Sequence, residues 1–295
     1  MAAKMNFAVY LQQFHENGYT VIPNFVGDAD IDAMKATIAR LVDQMDPHEY
    51  SQHVFRPAAK DGKHRDDYFM SSGDKICYFF EPDAVDEHGG LLREKRSALN
   101  KIGHALGWLE PAFKNVTFSQ KMQALCRQLG LVDPRLVQSM YIFKNPEIGQ
   151  EVLPHQDSTF LYTDPPSGLL GFWIPLDDAT TDNGCLYFIP GSQHVPPTSR
   201  FVRNPDPQST ELTQLIGSQP DYAWDRFEAA PAPKGSLVLI HGNVVHRSKK
   251  NTSHSQRNVY TFHLVDYGKS AYSAQNWLQP TTECPFPNLY NERII

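Results

Sequence analysis

Two segments that lie far apart in the sequence carry residue types able to bind a transition metal. His155 and Asp157 are separated by one residue, and His246 follows shortly after the apolar run Leu237–Ile240. In an extended strand, side chains two residues apart lie on the same side, so the His155 imidazole and the Asp157 carboxylate can bind one ion. Because the chain has 12 histidines, a His-x-Asp pair alone more often indicates a hydrogen-bonded loop pair. A third ligand from the second segment makes the metal prediction specific.

The second segment offers two candidates for that third ligand, His241 and His246. They are five positions apart, an odd separation, so in a continuous strand they point to opposite faces and only one can reach the ion. Gly242-Asn243 lies between them, and a turn or bulge there could reset the alternation. The spacing alone therefore leaves both histidines open.

Two histidines and one carboxylate on one face of an ion leave three adjacent positions free, which is the arrangement used by non-haem Fe(II) oxygenases. Two free positions can hold a 2-oxoacid and the third can hold dioxygen. Arg257 opens a later strand, and its planar guanidinium can meet the far carboxylate of 2-oxoglutarate with two parallel hydrogen bonds. On its own, this arginine would be interpreted as a solvated charge at a strand edge.

The second half of the chain contains the strands that must position these residues. Short β-rich runs follow one another without helical patterns between them, each bounded by Gly, Pro, Asn or Asp. This succession predicts an antiparallel barrel or two-sheet sandwich of the jelly-roll kind, with the earlier helices packed outside. We expect one domain over residues 1–295, with mixed α/β support in 1–130 and the β-core and active site in 131–295. The runs are LVQSMYIF, LLGFWIPL, CLYFIP, SLVLIH and RNVYTFHLV.

The first half and the long connections give weaker patterns. Residues 46–66 are polar and aperiodic, which predicts a surface loop, and 192–234 contains seven prolines and is expected to fold over the barrel mouth. The remaining predictions are a first helix stopped by Gly18, a strand at 20–26, a second helix from Asp28 or Asp30, two β runs within 67–82 and a helix at 119–131.

Composition excludes several classes of protein. The 295 residues are 41% hydrophobic and 20% charged, as in a globular enzyme, and not a disordered chain. The longest apolar run, 168–176, is far short of the roughly 18 residues a membrane helix requires, so no membrane partner is expected. The net charge of −6 has the wrong sign for nucleic acid. Four dispersed cysteines and a polar N-terminal segment predict a reduced, cytoplasmic compartment.

Several motifs together resemble the phytanoyl-CoA dioxygenase family, whose members depend on Fe(II) and 2-oxoglutarate. The likeness covers nearly the whole chain and is closest to one branch of the family in the segments at 71–75, 100–104, 138–143 and 276–280. The family motifs themselves are His155-x-Asp157, Asn183-Gly184-Cys185-Leu186, the segment 189–194, the segment 235–248 and Arg257.

The resemblance implies a fold, an activity and a set of site residues. The fold would be a cupin-like double-stranded β-helix, and iron would be held by His155, Asp157 and His246, the histidine whose spacing to Arg257 matches the family. The activity would be hydroxylation of a small-molecule or acyl substrate, with release of succinate and CO2. The residues implied around 2-oxoglutarate are Lys101, Met140, Trp173, Ser248 and Arg257.

The residue types alone favour plainer interpretations at some of these positions. Met140 and Trp173 would be ordinary core residues, and Lys101 would be a charge on a helix surface. His263 is expected to line the barrel as a hydrogen-bonded histidine, since it alternates onto the same side of its strand as Arg257.

Two other functions use the same three metal ligands. One is a zinc hydrolase with water as the fourth ligand, and the other is a non-catalytic metal-binding barrel. Arg257 and Ser248 favour the oxygenase, because a hydrolase has no use for a buried site for a dianion.

Overall fold

The structure is a computed structural model that describes residues 6–55, 66–206 and 208–291. Part of the predicted surface loop, 56–65, lies outside the described residues. The helices are α1 (Ala8–Asn17), α2 (Asp28–Gln44), α3 (Pro47–Tyr50), α4 (Asp67–Met70), α5 (Lys95–Ala98), α6 (Leu106–Leu109), α7 (Pro111–Thr117) and α8 (Gln120–Gln128). The strands are β1 (Tyr19–Ile22), β2 (Ile76–Phe80), β3 (Leu99–His104), β4 (Pro134–Lys144), β5 (Val152–His155), β6 (Thr163–Asp164), β7 (Leu169–Pro175), β8 (Leu186–Phe188), β9 (Ser199–Arg203), β10 (Thr213–Gly217), β11 (Glu228–Ala230), β12 (Leu237–His241), β13 (His246–Ser248), β14 (Arg257–Asp266) and β15 (Ala271–Tyr272).

Two antiparallel sheets form the barrel. The larger sheet has seven strands in the order β1-β12-β7-β14-β4-β3-β2, and the smaller has four in the order β11-β8-β13-β5. Apart from β2, β3 and β4, neighbouring strands in both sheets are non-consecutive in the chain, as in a jelly roll. The predicted cupin-like double-stranded β-helix is therefore confirmed. The N-terminal part of the chain also contributes β1, β2 and β3 to the larger sheet.

The residues of β14 alternate between the core and the barrel interior. Tyr260, Phe262 and Leu264 are fully buried in the main hydrophobic cluster, and the Phe262 ring stacks on Phe172 of β7 with centroids 4.8 Å apart. Three of the alternate residues line the interior cavity instead, namely Arg257, Thr261 and His263. This two-residue period is the one predicted from the sequence.

The N-terminal helices cover the outer face of the larger sheet. In α2, Ile31, Met34 and Ile38 are at most 1% exposed and belong to the same cluster as Phe172 and Phe262. Their spacing of three and four residues places them on one helix face. Burying each such side chain contributes about 1.5 to 3 kcal/mol, so these helices stabilise the sheet that carries the interior residues.

Two predicted segments differ from the structure because local backbone chemistry overrides β propensity. The first run within 67–82 is the short helix α4 and not a strand, since the Asp66 carboxylate caps it by accepting a hydrogen bond from the Phe69 amide at 2.8 Å. The strand predicted over 20–26 ends at Ile22. Pro23 has no amide hydrogen to donate to the sheet, and Asn24 adopts a left-handed φ of 52°.

The long segment 192–234 has more regular structure than its composition predicts. It contains the hairpin of β9 and β10 and the edge strand β11, which pairs with β8. Across the described ranges, the chain has no helix long and apolar enough to cross a bilayer.

Candidate metal centre

The three predicted metal ligands converge at one end of the smaller sheet. His155 ends β5, Asp157 opens the short 3-10 turn Asp157–Thr159, and His246 begins β13, where it pairs in register with His155. The Asp157 Oδ1 atom lies 3.3 Å from His155 Nε2 and 3.6 Å from His246 Nε2. One ligand atom from each residue lies within 4.8 Å of the others. The geometry suits three ligands on one face of a single ion.

Backbone hydrogen bonds fix the ring orientation of both histidines. His155 Nδ1 lies 2.8 Å from the Leu153 carbonyl oxygen, and His246 Nδ1 lies 3.1 Å from that of Val244. A carbonyl can only accept, so each Nδ1 carries the proton. In the neutral rings, both Nε2 lone pairs then face the carboxylate of Asp157. Three acceptor atoms directed at one point can bind a cation, and the chemistry of this donor set fits Fe(II).

The ionisation of the cluster is consistent with a cation site. Burial, followed by the nearby His155, lowers the pKa of His246 to about 4, so its Nε2 is free to bind metal near neutral pH. Burial favours the neutral form of Asp157, but the charges of His246 and His263 outweigh it and the pKa of the carboxyl lies well below its usual value. Burial also opposes protonation of His155, yet its hydrogen bond with Asp157 raises the pKa overall. A bound metal ion would take the place of the proton on His155 Nε2.

His263 holds the second carboxylate oxygen of Asp157. Its Nε2 lies 3.1 Å from Asp157 Oδ2, whereas His155 and His246 lie near Oδ1. Gly171 of β7 allows this approach, because a Cβ there would lie 3.2 Å from Oδ2 and 3.5 Å from His263 Nε2. The strand alternation predicted that His263 lines the barrel, but the sequence carried no signal for this contact with Asp157.

His241 lies at a different place from the three converging residues. It ends β12 in the larger sheet, and its Nδ1 accepts a hydrogen bond from the Asn243 amide at 3.0 Å. It borders a separate surface cavity together with Phe14 and His194.

A cavity of about 800 Å³ opens beside the three converging residues. Both sheets contribute to its wall, and so does the long segment after β10 through Ser218, Tyr222 and Trp224. That segment was expected to cover the barrel mouth. The five residues implied by the family resemblance all line this cavity, namely Lys101, Met140, Trp173, Ser248 and Arg257.

Arg257 is buried in the cavity wall, which overturns its interpretation as a solvated charge. The residue is 3% exposed, and burial lowers the pKa of its guanidinium to about 10, so it stays charged. Its Nη2 donates to the Gly184 carbonyl at 2.9 Å, and Ser248 Oγ donates to the same oxygen at 2.8 Å. Nη1 is buried and has no hydrogen-bond partner among the described residues. A buried N–H donor without a partner can donate a hydrogen bond to a carboxylate.

Lys101 lies on a strand and not on a helix surface, because the segment around it forms β3 between β2 and β4. It is 7% exposed, and its ammonium lies 3.8 Å from the centroid of the Phe55 ring. Met140 and Trp173 flank Thr261 in register on the two strands beside β14. These three predicted residues therefore occupy the same sheet surface as Arg257.

The comparisons with known proteins agree with this architecture. The profile of the family described as "Phytanoyl-CoA dioxygenase (PhyH)" matches residues 14–259. A relative from Danio rerio, "Phytanoyl-CoA dioxygenase domain-containing protein 1", is 46% identical over 283 residues, which cover 95% of this chain and 97% of the relative. An Arabidopsis thaliana relative named "Phytanoyl-CoA dioxygenase" is 39% identical, with 91% and 92% covered.

Solved structures share the fold at low sequence identity. The epimerase SnoN in complex with Fe3+, alpha ketoglutarate and nogalamycin RO superimposes with a TM-score of 0.61 at 15% identity, covering 96% of this chain and 98% of that one. EctD from S. alaskensis with 2-oxoglutarate and 5-hydroxyectoine gives a TM-score of 0.58 at 17% identity, covering 97% and 83%. The fold, the extent of the profile match and the identity to the curated relatives lead to one conclusion: the chain belongs to the phytanoyl-CoA dioxygenase family.

Proposed function

We propose that this protein is an Fe(II)- and 2-oxoglutarate-dependent dioxygenase that hydroxylates a small-molecule or acyl substrate, with release of succinate and CO2. The observation that carries the proposal is the pairing of two features in one cavity. Two histidine Nε2 atoms and Asp157 Oδ1 converge on one point, and the buried guanidinium of Arg257 lines the same cavity with one donor unpaired among the described residues. When bound, iron supplies the oxidative chemistry with dioxygen.

The roles of the residues follow from their positions. His155, Asp157 and His246 would hold the iron, and Arg257 with Ser248 would bind the far carboxylate of 2-oxoglutarate. A buried donor without a partner costs about 1 to 3 kcal/mol, and the carboxylate would remove that cost at Arg257 Nη1.

The other three residues would surround the remainder of the co-substrate. Lys101 adds positive charge near the anion, and Met140 and Trp173 supply apolar walls that exclude water. Among the relatives by fold, the SnoN complex contains alpha ketoglutarate and the EctD structure contains 2-oxoglutarate, which supports a site for such a ligand in this barrel.

The rest of the cavity would receive the substrate to be hydroxylated. The cavity wall includes four aromatic side chains outside the proposed co-substrate site, namely Phe69, Phe160, Phe201 and Trp277. Such a wall favours a substrate with a substantial apolar portion. Because Phe69 and Lys101 come from the N-terminal part of the chain and His246 from the C-terminal part, we also propose that residues 1–295 act as one catalytic domain.

Anaerobic reconstitution tests the proposal most directly. The metal-free protein is loaded with Fe(II), 2-oxoglutarate is added without oxygen, and a metal-to-ligand charge-transfer absorption is recorded. Air is then admitted and succinate is measured. We expect the absorption to appear and slow succinate formation to follow even without substrate. A fully metallated protein that shows neither would contradict the dioxygenase proposal, and hydrolytic activity with Zn(II) alone would favour the hydrolase instead.

Replacing His263 tests how Asp157 is held. If Oδ2 stays bonded to His263, only Oδ1 reaches the metal, and the position a bidentate carboxylate would occupy stays open. We expect His263→Leu to weaken Mn(II) binding about tenfold, the lower end of the range for losing a partner of a metal ligand. His263→Gln should keep most of the affinity, because its amide can donate to the same oxygen. Calorimetry of metal binding checks both variants, and wild-type affinity in the leucine variant would remove His263 from this role.

A further inference from the structure

A buried pair of opposite charges lines the cavity and has no part in the roles given above. Glu81 directly follows β2 and is 1% exposed, and Lys144 is the last residue of β4 and is 3% exposed. Both side chains lie in the cavity wall. Burying an isolated charge is costly, so each of these two groups needs an opposite charge nearby.

Each of the two side chains is incompletely satisfied by hydrogen bonds. Lys144 Nζ donates to the Gln150 carbonyl oxygen at 3.0 Å. Glu81 Oε1 accepts from the Asn100 amide at 2.9 Å, while Oε2 is buried and has no partner among the described residues. Burial, then the nearby Arg257, lowers the pKa of Lys144 to about 7, and Glu81 and Glu151 act in the opposite direction. Burial raises the pKa of Glu81 to about 7.

Lys144 lies beside the proposed site for the far carboxylate. In the antiparallel pair β14–β4, Arg257 and Lys144 are direct register partners. Gly184, whose carbonyl binds both Arg257 and Ser248, also approaches Lys144 closely. A Cβ on Gly184 would lie 2.9 Å from Lys144 Cε and 3.3 Å from Ser248 Oγ. Arg257 and Ser248 therefore bind the Gly184 carbonyl, and the side chain of Lys144 passes beside the α-carbon of the same glycine.

The charges of Arg257, Lys144 and Glu81 together match one carboxylate at this end of the cavity. With all three groups ionised, Arg257 and Lys144 contribute two positive charges and Glu81 one negative charge. The remaining single positive charge is balanced by one carboxylate. Without Lys144, Arg257, Glu81 and a bound carboxylate would together carry one excess negative charge in a buried environment, where charge interactions are strong.

We infer that Lys144 is a second cation for the far carboxylate of the co-substrate and that, with Glu81 as its counterion, it selects dicarboxylic over monocarboxylic 2-oxoacids. This inference rests on the proposed 2-oxoglutarate site. It makes Lys144 a specificity-determining residue, separate from the metal ligands. A 2-oxoacid without the second carboxylate gains nothing from Lys144.

The experiment compares two acids that differ only at the far end. 2-Oxoglutarate and 2-oxopentanoate have the same carbon chain, and the second lacks the far carboxylate. Their affinities for the metal-loaded protein are measured by calorimetry with Mn(II), for wild type, Lys144→Met and Glu81→Gln. Lys114→Met, on α7 outside the cavity lining, is the matched control. Thermal unfolding monitors the folding of each variant.

We expect Lys144→Met to bind 2-oxoglutarate at least about tenfold more weakly, the effect of losing one interaction with a charged group, and to bind 2-oxopentanoate as wild type does. Glu81→Gln should bind 2-oxoglutarate as tightly as wild type or more tightly. The inference is overturned if Lys144→Met weakens the binding of both acids equally, or if it weakens the binding of neither acid.

Two further outcomes keep the test decisive. Should Lys144→Met fail to fold, Lys144→Arg decides, because it retains a cation at this position and must keep the preference for the dicarboxylate. Loss of that preference in the folded arginine variant also overturns the inference. If wild-type protein loaded with metal binds neither acid, the proposed function itself has failed, which is a different result from equal binding in the lysine variant.

Discussion

Replacing His246 with alanine is expected to abolish stoichiometric Fe(II) binding and succinate formation. His246 Nε2 lies 3.6 Å from Asp157 Oδ1, and its Nδ1 is hydrogen-bonded to the Val244 carbonyl oxygen. Losing a hydrogen-bond partner of a metal ligand already costs about 10- to 100-fold in affinity, so losing the ligand itself should cost more than about 100-fold. Metal content after gel filtration and calorimetry with Mn(II) measure the effect.

His241→Ala is the matched control for this prediction. Both residues are histidines in the same short segment, and both are well covered by protein, but His241 borders the surface cavity beside Phe14 and His194. Its replacement removes an acceptor for the Asn243 amide, which should reduce stability while leaving metal binding intact. Retention of stoichiometric iron in the His246 variant, combined with its loss in the His241 variant, would reverse the assignment.

The two histidines also show where reasoning from sequence reaches its limit. Their odd spacing predicted opposite faces of one continuous strand. In the structure, however, His241 ends β12 in the larger sheet and His246 begins β13 in the smaller sheet. The chain crosses between the sheets over residues 242–245. The separation of the two side chains therefore results from a change of sheet, which alternation along one strand cannot describe.

Much of the candidate site was predictable because its signals are local. The His-x-Asp spacing, the strand after Arg257 and the alternation along β14 each depend on residues close together in sequence. The contact between His263 and Asp157 joins residues 106 positions apart, and the proximity of Glu81 to Lys144 depends on the packing of β2, β3 and β4. Such contacts are set by the order of strands in the sheet, which the sequence pattern alone does not specify.

Helix capping and strand pairing explain the errors in the predicted elements. The run beginning at Asp67 has residues that favour strands, yet the cap supplied by Asp66 begins a helix there. The segment around Lys101 contains Gly103 and charged residues that weaken a strand pattern, but it pairs on both sides within the larger sheet. Pairing partners, which become visible only in three dimensions, decide the structure of such segments.

Replacing Arg257 with alanine should leave metal binding intact and weaken the binding of 2-oxoglutarate about 10- to 150-fold. Losing hydrogen bonds to a charged group costs about 1.5 to 3 kcal/mol. Metal binding should be unaffected because Arg257 donates hydrogen bonds to the carbonyls of Asn183 and Gly184 and not to the three converging residues, which interact with one another. Ser248 continues to satisfy the Gly184 carbonyl in the variant, so this acceptor is not left unpaired.

Arg257→Lys distinguishes loss of charge from loss of geometry at the same position. An ammonium restores the positive charge but cannot form the two parallel hydrogen bonds of a guanidinium, so the lysine variant should recover only part of the lost affinity. Calorimetry with Mn(II)-loaded protein gives the affinity for metal and for 2-oxoglutarate in each variant. Arg257 is a buried cation in the cavity wall whose Nη1 has no hydrogen-bond partner among the described residues. Unchanged 2-oxoglutarate affinity in the alanine variant would therefore mean that the co-substrate lies elsewhere in the barrel.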